Sequence, residues 1–420
     1  MVIMDGSIGN FVMSEHVAEP QEAPCIEPGV FRFIETVSYL LFGIGPLVGN
    51  AVLTLLGPVS TDFMVDPTAI LIAIPSFMFP FAFFQLFSGA LSDSYGRVPI
   101  IVGGLVGFLA GITLISFASS IVMFALGHLV AGVGFGFVNP VLLALLSDCA
   151  TPEDIPKRMG IASALSGLGV GLGPFIAGQM AILGWQLYYL AILLIVFIGL
   201  VSIVVANRPP KMVHGDSGIR LLVNNLGIEL KKPVVLLLLI TSFLVSLAYL
   251  GTLIWTSRGL TGAVSQTIIG ILLLVAGIFG AVGGASLGRI IRKSGYLFSI
   301  VVGIVPLFAS MFLFLLIGDV TLFSSVLMVG LALALIGWAG GVLFPLMITY
   351  SQVISPERRG VLAGAVTSSF FFAAALIPSV YEPLFLLGMP SLYLGILGVS
   401  VLLLIFISIL YRRIEPPEYH

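Results

Sequence analysis

Across 420 residues the chain carries 17 Lys and Arg against 19 Asp and Glu, so charged residues make up 9% of it and hydrophobic residues 59%. The mean hydropathy is +1.19. A soluble globular domain carries about a quarter charged residues, so that class is excluded. A net charge of −2 gives no basic footprint for nucleic acid, and two cysteines cannot build a disulfide framework. A spanning helix needs about 20 apolar residues, and with connections of roughly 15 more the length accommodates about twelve of them. The composition is that of an all-α polytopic membrane protein.

The first 29 residues are expected to be a solvated cytoplasmic tail. They hold Asp5, Glu15, Glu19, Glu22 and Glu27 but no basic residue, and so lack the positive start and apolar core of a signal peptide. Apolar runs then fall at 33–56, 68–91, 98–119, 121–146, 160–182 and 185–206. The polar stretch 207–232, with Pro209, Pro210, Lys211, Arg220, Lys231 and Lys232, reads as a central linker. A second series follows at 233–256, 264–287, 296–317, 321–347, 361–387 and 390–411. The expected organisation is therefore a six-helix bundle over 30–206, the linker, a six-helix bundle over 233–411 and a cytoplasmic tail over 412–420.

Cytoplasmic loops retain Lys and Arg. Sixteen of the 17 basic residues lie at the chain ends or in even-numbered connections, and only Arg258 lies elsewhere. Both termini and the linker are thus expected on the cytoplasmic side of the cell membrane. The halves also repeat. Gly89, Asp93 and Gly96 recur as Gly288, Arg292 and Gly295 at an offset of 199, Asn139-Pro140 as Phe344-Pro345 at 205, and Pro152-Glu153 as Pro356-Glu357 at 204. Parallel repeats place a transport site between two pseudo-symmetric bundles near the membrane centre.

Gly89-Ala90-Leu91-Ser92-Asp93-Ser94-Tyr95-Gly96-Arg97, between spans two and three, resembles the G-x-L-a-D-r-x-G-r loop of the major facilitator superfamily, with Ser94 at a position usually basic. The resemblance extends over residues 30 to 412 and implies the twelve-helix fold of that family. Physically, Gly89 suits close helix approach, Gly96 a tight turn, and Asp93 with Arg97 a charged gate. The family implies that Arg97 pairs with Asp148 at the end of span four and that Asp93 meets the start of span eleven near Gly360. In span five, Gly169-Val170-Gly171-Leu172-Gly173-Pro174-Phe175-Ile176-Ala177-Gly178 is similar to the g-x-x-x-G-P-x-x-G-G motif of drug/proton antiporters, which implies export, with Gly173 and Pro174 in the conformational machinery. The spacing of the glycines by itself implies close packing. Gly127 to Gly134 in span four partly resembles the family's R-x-x-Q-G-x-G stretch, with His128 at the Arg position and Ala131 at the Gln position.

Helical spacing puts His128, Gly132, Phe135 and Asn139 on one stripe of span four, expected to face the central cavity. A histidine inside a membrane is a candidate for proton exchange, or else a neutral hydrogen-bond donor to a neighbouring helix. Glu35, Tyr39, Gly43, Pro46, Asn50 and Thr54 share a stripe of span one. There Glu35 either carries a proton in the cavity or is a solvated residue at the helix start. Ser242, Ser246, Tyr249, Thr252 and Thr256 form an uncharged stripe in span seven, suited to ligand contact or to interhelical bonding. The cavity candidates are Tyr39, Asn50, Phe135, Asn139, Ser246 and Tyr249. The proton-coupling candidates are His128 and Glu35.

The chain has no H-E-x-x-H and no phosphate-cradling G-x-x-x-x-G-K-[ST]. The expectation is a transporter and not an enzyme, with no catalytic residues, metal, organic cofactor or ATP. It draws on a transmembrane gradient, that of the proton. Its partners are a small molecule and the lipid bilayer, and it is a monomer. The favoured activity is alternating-access, proton-coupled efflux of a hydrophobic or amphiphilic molecule. The alternative is uptake or facilitated diffusion of a small neutral metabolite, with a channel the weaker rival because no filter or charged ring is present.

Overall fold

The computed structural model describes residues 28–148, 154–205, 218–317 and 323–414. Hydrocarbon leaves a backbone N–H or C=O no partner but another backbone group, so the apolar runs resolve into helices. The first half comprises α1 (Pro28–Phe63), the single-turn α2 (Pro67–Ile70), α3 (Ala73–Tyr95), α4 (Arg97–Ser116), α5 (Ile121–Asp148), α6 (Ile155–Met180) and α7 (Trp185–Val205). The linker contributes α8 (Ile219–Leu230), a helix that its polar composition had not announced. The second half comprises α9 (Pro233–Leu260), α10 (Gln266–Leu316), α11 (Phe323–Ile354), α12 (Arg359–Leu386) and α13 (Met389–Arg413).

The 51 residues of α10 are too many for one crossing, and the helix breaks at Gly295, where φ is +76° and ψ 179°. Divided there it supplies spans eight and nine, giving twelve spans among the described residues. Gly96, between α3 and α4, has φ +94°. These are the two glycines that the repeat offset pairs. Both occupy the left-handed region where a Cβ is strained, which accounts for glycine at both turns.

Two seams join the halves: α3 against α12, and α6 against α10. The helix α6 has two glycine faces. A Cβ on Gly169 or Gly173 would stand 2.8 Å from Gly43 O and 2.1 Å from Leu47 O of α1, whereas one on Gly171 would stand 2.9 Å from Gly277 Cα of α10. Gly173 and Pro174 therefore seat α6 on α1 inside the first half, the Pro174 carbonyl accepting from Thr54 Oγ1 at 2.8 Å. Gly167 and Gly171 make the contact between halves.

Along these seams the packing changes from one membrane face to the other. Away from the linker, a Cβ on Gly178 would meet Gln266 O at 2.6 Å and one on Gly270 would meet Phe175 Cα at 3.0 Å. Toward the face that carries the linker, Cβ atoms on Gly89, Gly160, Gly288, Gly360 and Gly364 would have nothing within 4 Å. Gly89 is thus not a close-packing position in this conformation. The halves are pressed together at the face opposite the linker and part toward the linker face.

Candidate functional site

At the linker face the turn at Gly96 delivers Arg97 to the first residue of α4, where its guanidinium is shared. Nε donates to Asp148 Oδ2 at 2.8 Å, and Nη1 donates to Ser92 Oγ at 2.6 Å and to Asp93 Oδ1. The side chains of Arg97, Asp148 and Asp93 are 16%, 22% and 28% exposed, so the three charges are largely withdrawn from water and compensate one another. Asp93 is held by Arg97 and not by the start of α12, because the halves are parted there and Gly360 borders open space. Beside this cluster Arg158 of α6 lies 3.3 Å from Glu35 of α1 and donates to Leu146 O of α5 at 3.1 Å. Tyr39 Oη donates to Glu35 at 3.3 Å. Glu35 is therefore an ion-paired residue at a three-helix junction, a role that neither reading of its sequence position anticipated.

The ion pairs at this face, among the described residues, stay within one side of the molecule. The remaining two hold α8: Glu229, whose side chain has 0% exposure, receives Lys232 Nζ at 2.9 Å and Arg358 Nη1 at 2.8 Å. Burial pushes the Glu229 carboxyl up, but hydrogen bonds from Lys232, Arg358 and Ser355 outweigh it and leave the group below its ordinary value. The helix α8 packs on α12 and α9 of the second half and also touches α3 of the first.

In the interior an aromatic series crosses from half to half. Phe108, Phe77 and Phe81 surround Phe135, Phe81 meets Phe371 of α12 at 4.8 Å between centroids, and Phe344 of α11 meets Phe370 at 4.1 Å. Phe135 is 2% exposed and fills the space left by Gly45 of α1. It is a packing residue, while Phe81 and Phe371 are the rings that bridge the halves. Asn139 is half-buried on the same helix, and Asn50 is half-buried with its amide donating to Pro46 O at 2.8 Å. Gln85 of α3, 6% exposed, has an amide nitrogen without a partner. Its position one turn from Phe81 in an otherwise apolar run was the available signal, and the sequence reading passed over it.

His128 does not face a cavity between the halves. It is 2% exposed, donates from Nδ1 to Phe124 O at 2.8 Å, and packs on Phe124 and on Tyr189 of α7, all in the first half. Spacing identified a shared stripe correctly, but that stripe turns toward α7 at His128 and toward α3 at Gly132, whose Cβ would stand 2.3 Å from Phe77 O. The span-seven stripe is likewise internal: Ser242 donates to Val366 O, Thr256 bonds Tyr393 Oη, and Ser246 has 0% exposure. Tyr249 is half-buried with its ring against Gly340 of α11.

The opposite face carries the contacts that sequence reasoning missed. Arg258, the one basic residue outside the positive-inside pattern, reaches from α9 to the first half. Its Nε donates to Thr68 Oγ1 at 2.9 Å and its Nη2 lies 3.2 Å from Asp66 Oδ1, with the guanidinium over the Phe385 ring at 5.2 Å. Asp66 caps α2 by accepting from Thr68 N at 2.7 Å, and these Thr68 bonds first, with Arg258 after them, hold its carboxyl below the usual range. Alongside, Ser257 Oγ donates to Leu53 O of α1. Groups of His, Cys, Asp and Glu able to hold a metal ion are absent among the described residues.

Comparison with known proteins agrees with this architecture. The MFS-type transporter YceJ of Bacillus subtilis (strain 168) is 26% identical over 351 residues, 81% of this chain and 86% of that protein. The methylenomycin A resistance protein of the same organism is 32% identical over 146 residues, 34% of this chain and 31% of that protein. A crystal structure of the nucleoside transporter NupG superposes with a TM-score of 0.74 over 91% of this chain and 100% of that one, at 13% identity. The family model described as Major Facilitator Superfamily matches residues 37–378. The chain is a multi-pass membrane transporter that belongs to the major facilitator superfamily.

Proposed function

We propose that this transporter exports a hydrophobic or amphiphilic small molecule by alternating access, coupled to proton entry. The observation that carries the reading is the asymmetry between the two faces: an ion pair and tight glycine contacts join the halves away from the linker, and the halves part beside it. Placing the arginine- and lysine-rich loops in the cytoplasm makes this the cytoplasm-open state. The gate that closes it in the other state is the Asp93–Arg97–Asp148 cluster, which then engages the start of α12. The interhalf aromatic series, with the half-buried amides of Asn50 and Asn139 and the unpartnered amide of Gln85, supports a neutral or weakly polar substrate. The segment shared with the methylenomycin A resistance protein supports export.

Glu35 is the proton acceptor in this reading. Protonation removes its attraction for Arg158 and loosens the junction of α1 with α6, the helix that meets α10 of the second half. His128, packed away from the interior, serves the fold of the first half. Proteoliposomes with an imposed pH gradient test the whole: an amphiphilic dye should accumulate against its own gradient, and collapsing the pH difference should release it. Conduction that continues without substrate would overturn the reading in favour of a channel.

A further inference from the structure

On the bilayer-facing side of the α3–α12 seam lies an apolar slot of about 510 Å³, lined by Phe79, Phe83 and Leu86 of α3 and by Ser368, Ser369 and Phe372 of α12. All six residues sit in the middle turns of their helices, at the depth of the hydrocarbon core. The volume is in the range of ligand sites. Ser368 is 7% exposed, and its hydroxyl has no hydrogen-bond partner. Its neighbours are satisfied, Thr367 by Ala363 O and Ser369 by Leu239 O, each at 2.8 Å. An unpaired hydroxyl in hydrocarbon is costly, and lipid tails offer it no acceptor.

Two aromatic pairs close the seam in succession. Phe79 meets Phe372 edge-on at 5.1 Å and borders the slot, while Phe81 meets Phe371 at 4.8 Å and touches Phe135 of the interior series. Each pair takes one ring from each half, so rocking of the halves separates both.

We infer that this slot is a lateral entry site, in which Ser368 donates a hydrogen bond to an uncharged, largely hydrocarbon substrate bearing a carbonyl or ether acceptor that arrives from within the bilayer. The inference rests on the transport reading above and adds to it the substrate's chemistry and its route. The slot offers no charged group, which excludes an ionised ligand end there, and the aromatic pairs lead from it to the interior cluster.

The test uses the full-length protein in liposomes and a long-chain methyl ketone carrying a terminal diazirine, beside the matching hydrocarbon without the carbonyl. Photolabelling by the ketone should concentrate on peptides holding Phe79–Leu86 and Ser368–Phe372. Loss of one hydrogen bond in Ser368→Ala should reduce it about fivefold, Ser368→Thr should retain it, and the hydrocarbon should label all three proteins alike. Ketone labelling spread evenly over α4, α7 and α13, or an equal loss for both probes in Ser368→Ala, overturns the site. Dye accumulation measured on the same liposomes separates the two readings. Intact accumulation with an unlabelled slot sinks the entry site alone, and a labelled slot without accumulation sinks the transport reading while upholding the site.

Discussion

Arg258 of α9 and Asp66, the cap of α2, meet across the boundary between the halves with 3.2 Å between Nη2 and Oδ1. Every other ion pair among the described residues stays within one half or between the linker helix and the second half. In the alternating-access reading proposed above, the pair belongs to one conformation, and both partners are released when the opposite face opens.

Arg258→Gln and Asp66→Asn should shift the resting population toward the state open at that face. The Asp66 side chain is 66% exposed, so the pair contributes no more than about 1 kcal/mol, which corresponds to about a fivefold population change. A Thr261→Cys reporter, in the cleft that Thr261 lines with Pro67 of α2 and Gln266 of α10, should react correspondingly faster with a polar thiol reagent added from that side. Unchanged reaction rates in both variants would deny the pair any hold on the equilibrium.

Gly277→Val should destabilise the protein, because its Cβ would fall 2.6 Å from Gly171 Cα and only backbone could move aside. Overpacking of this kind costs about 1–3 kcal/mol. Gly288→Ala, whose added methyl meets nothing within 4 Å, should leave the unfolding temperature in detergent unchanged.

Arg97→Ala strands two partly buried carboxylates and should cost about 2 kcal/mol, less than for a fully buried pair because each side chain keeps some solvent. Asp148→Asn in the same background should restore part of that loss. Equal stability of the single and double variants in chemical denaturation would mean that the two side chains are not coupled.

The two candidate coupling residues should separate in reconstituted transport. Glu35→Gln should still exchange substrate down its gradient but lose pH-driven accumulation. His128→Gln should keep accumulation and lower stability, since the ring fills a pocket between Phe124 and Tyr189. The reverse pattern would return the coupling role to His128.

Docking of α8 should depend on pH through Glu229. Its carboxyl lies below the ordinary value of 4.5, so the docked form binds a proton less readily than the free one. The stabilisation is complete above that ordinary value and is lost as pH falls through the lowered one. A spin label at the exposed Asn224 should become mobile on acidification, and Glu229→Gln should mobilise it at neutral pH.

Some of this architecture could be read before any coordinates were known, and the reasons are local. Gly96 and Gly295 stood out because a left-handed turn selects glycine whatever surrounds it. Arg97 and Asp148 lie at helix ends that topology brings to one face. What helical spacing does not contain is the neighbour each stripe will meet, which is why His128 and Ser246 were expected in a cavity and are buried within their own halves. Arg258 was conspicuous as an exception, yet its partner is 192 residues away with no spacing rule to connect them. Gln85 and Ser368 matter through hydrogen bonds they lack, and only a three-dimensional environment discloses that.

The backbone contact of Gly171 with Gly277 also divides α6 into unequal arms. At 1.5 Å per residue, about 24 Å of helix runs from it to Ile155 at the linker face and about 14 Å to Met180 at the other. With no side chains interposed, the contact behaves as a fulcrum on which α6 tilts against α10. A displacement of the short arm, which ends at the same face as the Arg258–Asp66 pair, is magnified nearly twofold on the long arm that ends beside Arg158. In the alternating-access reading proposed above, a mechanical advantage of this kind turns a small opening at one face into a wider one at the other, and shortening the long arm by a helical turn is expected to narrow the opening.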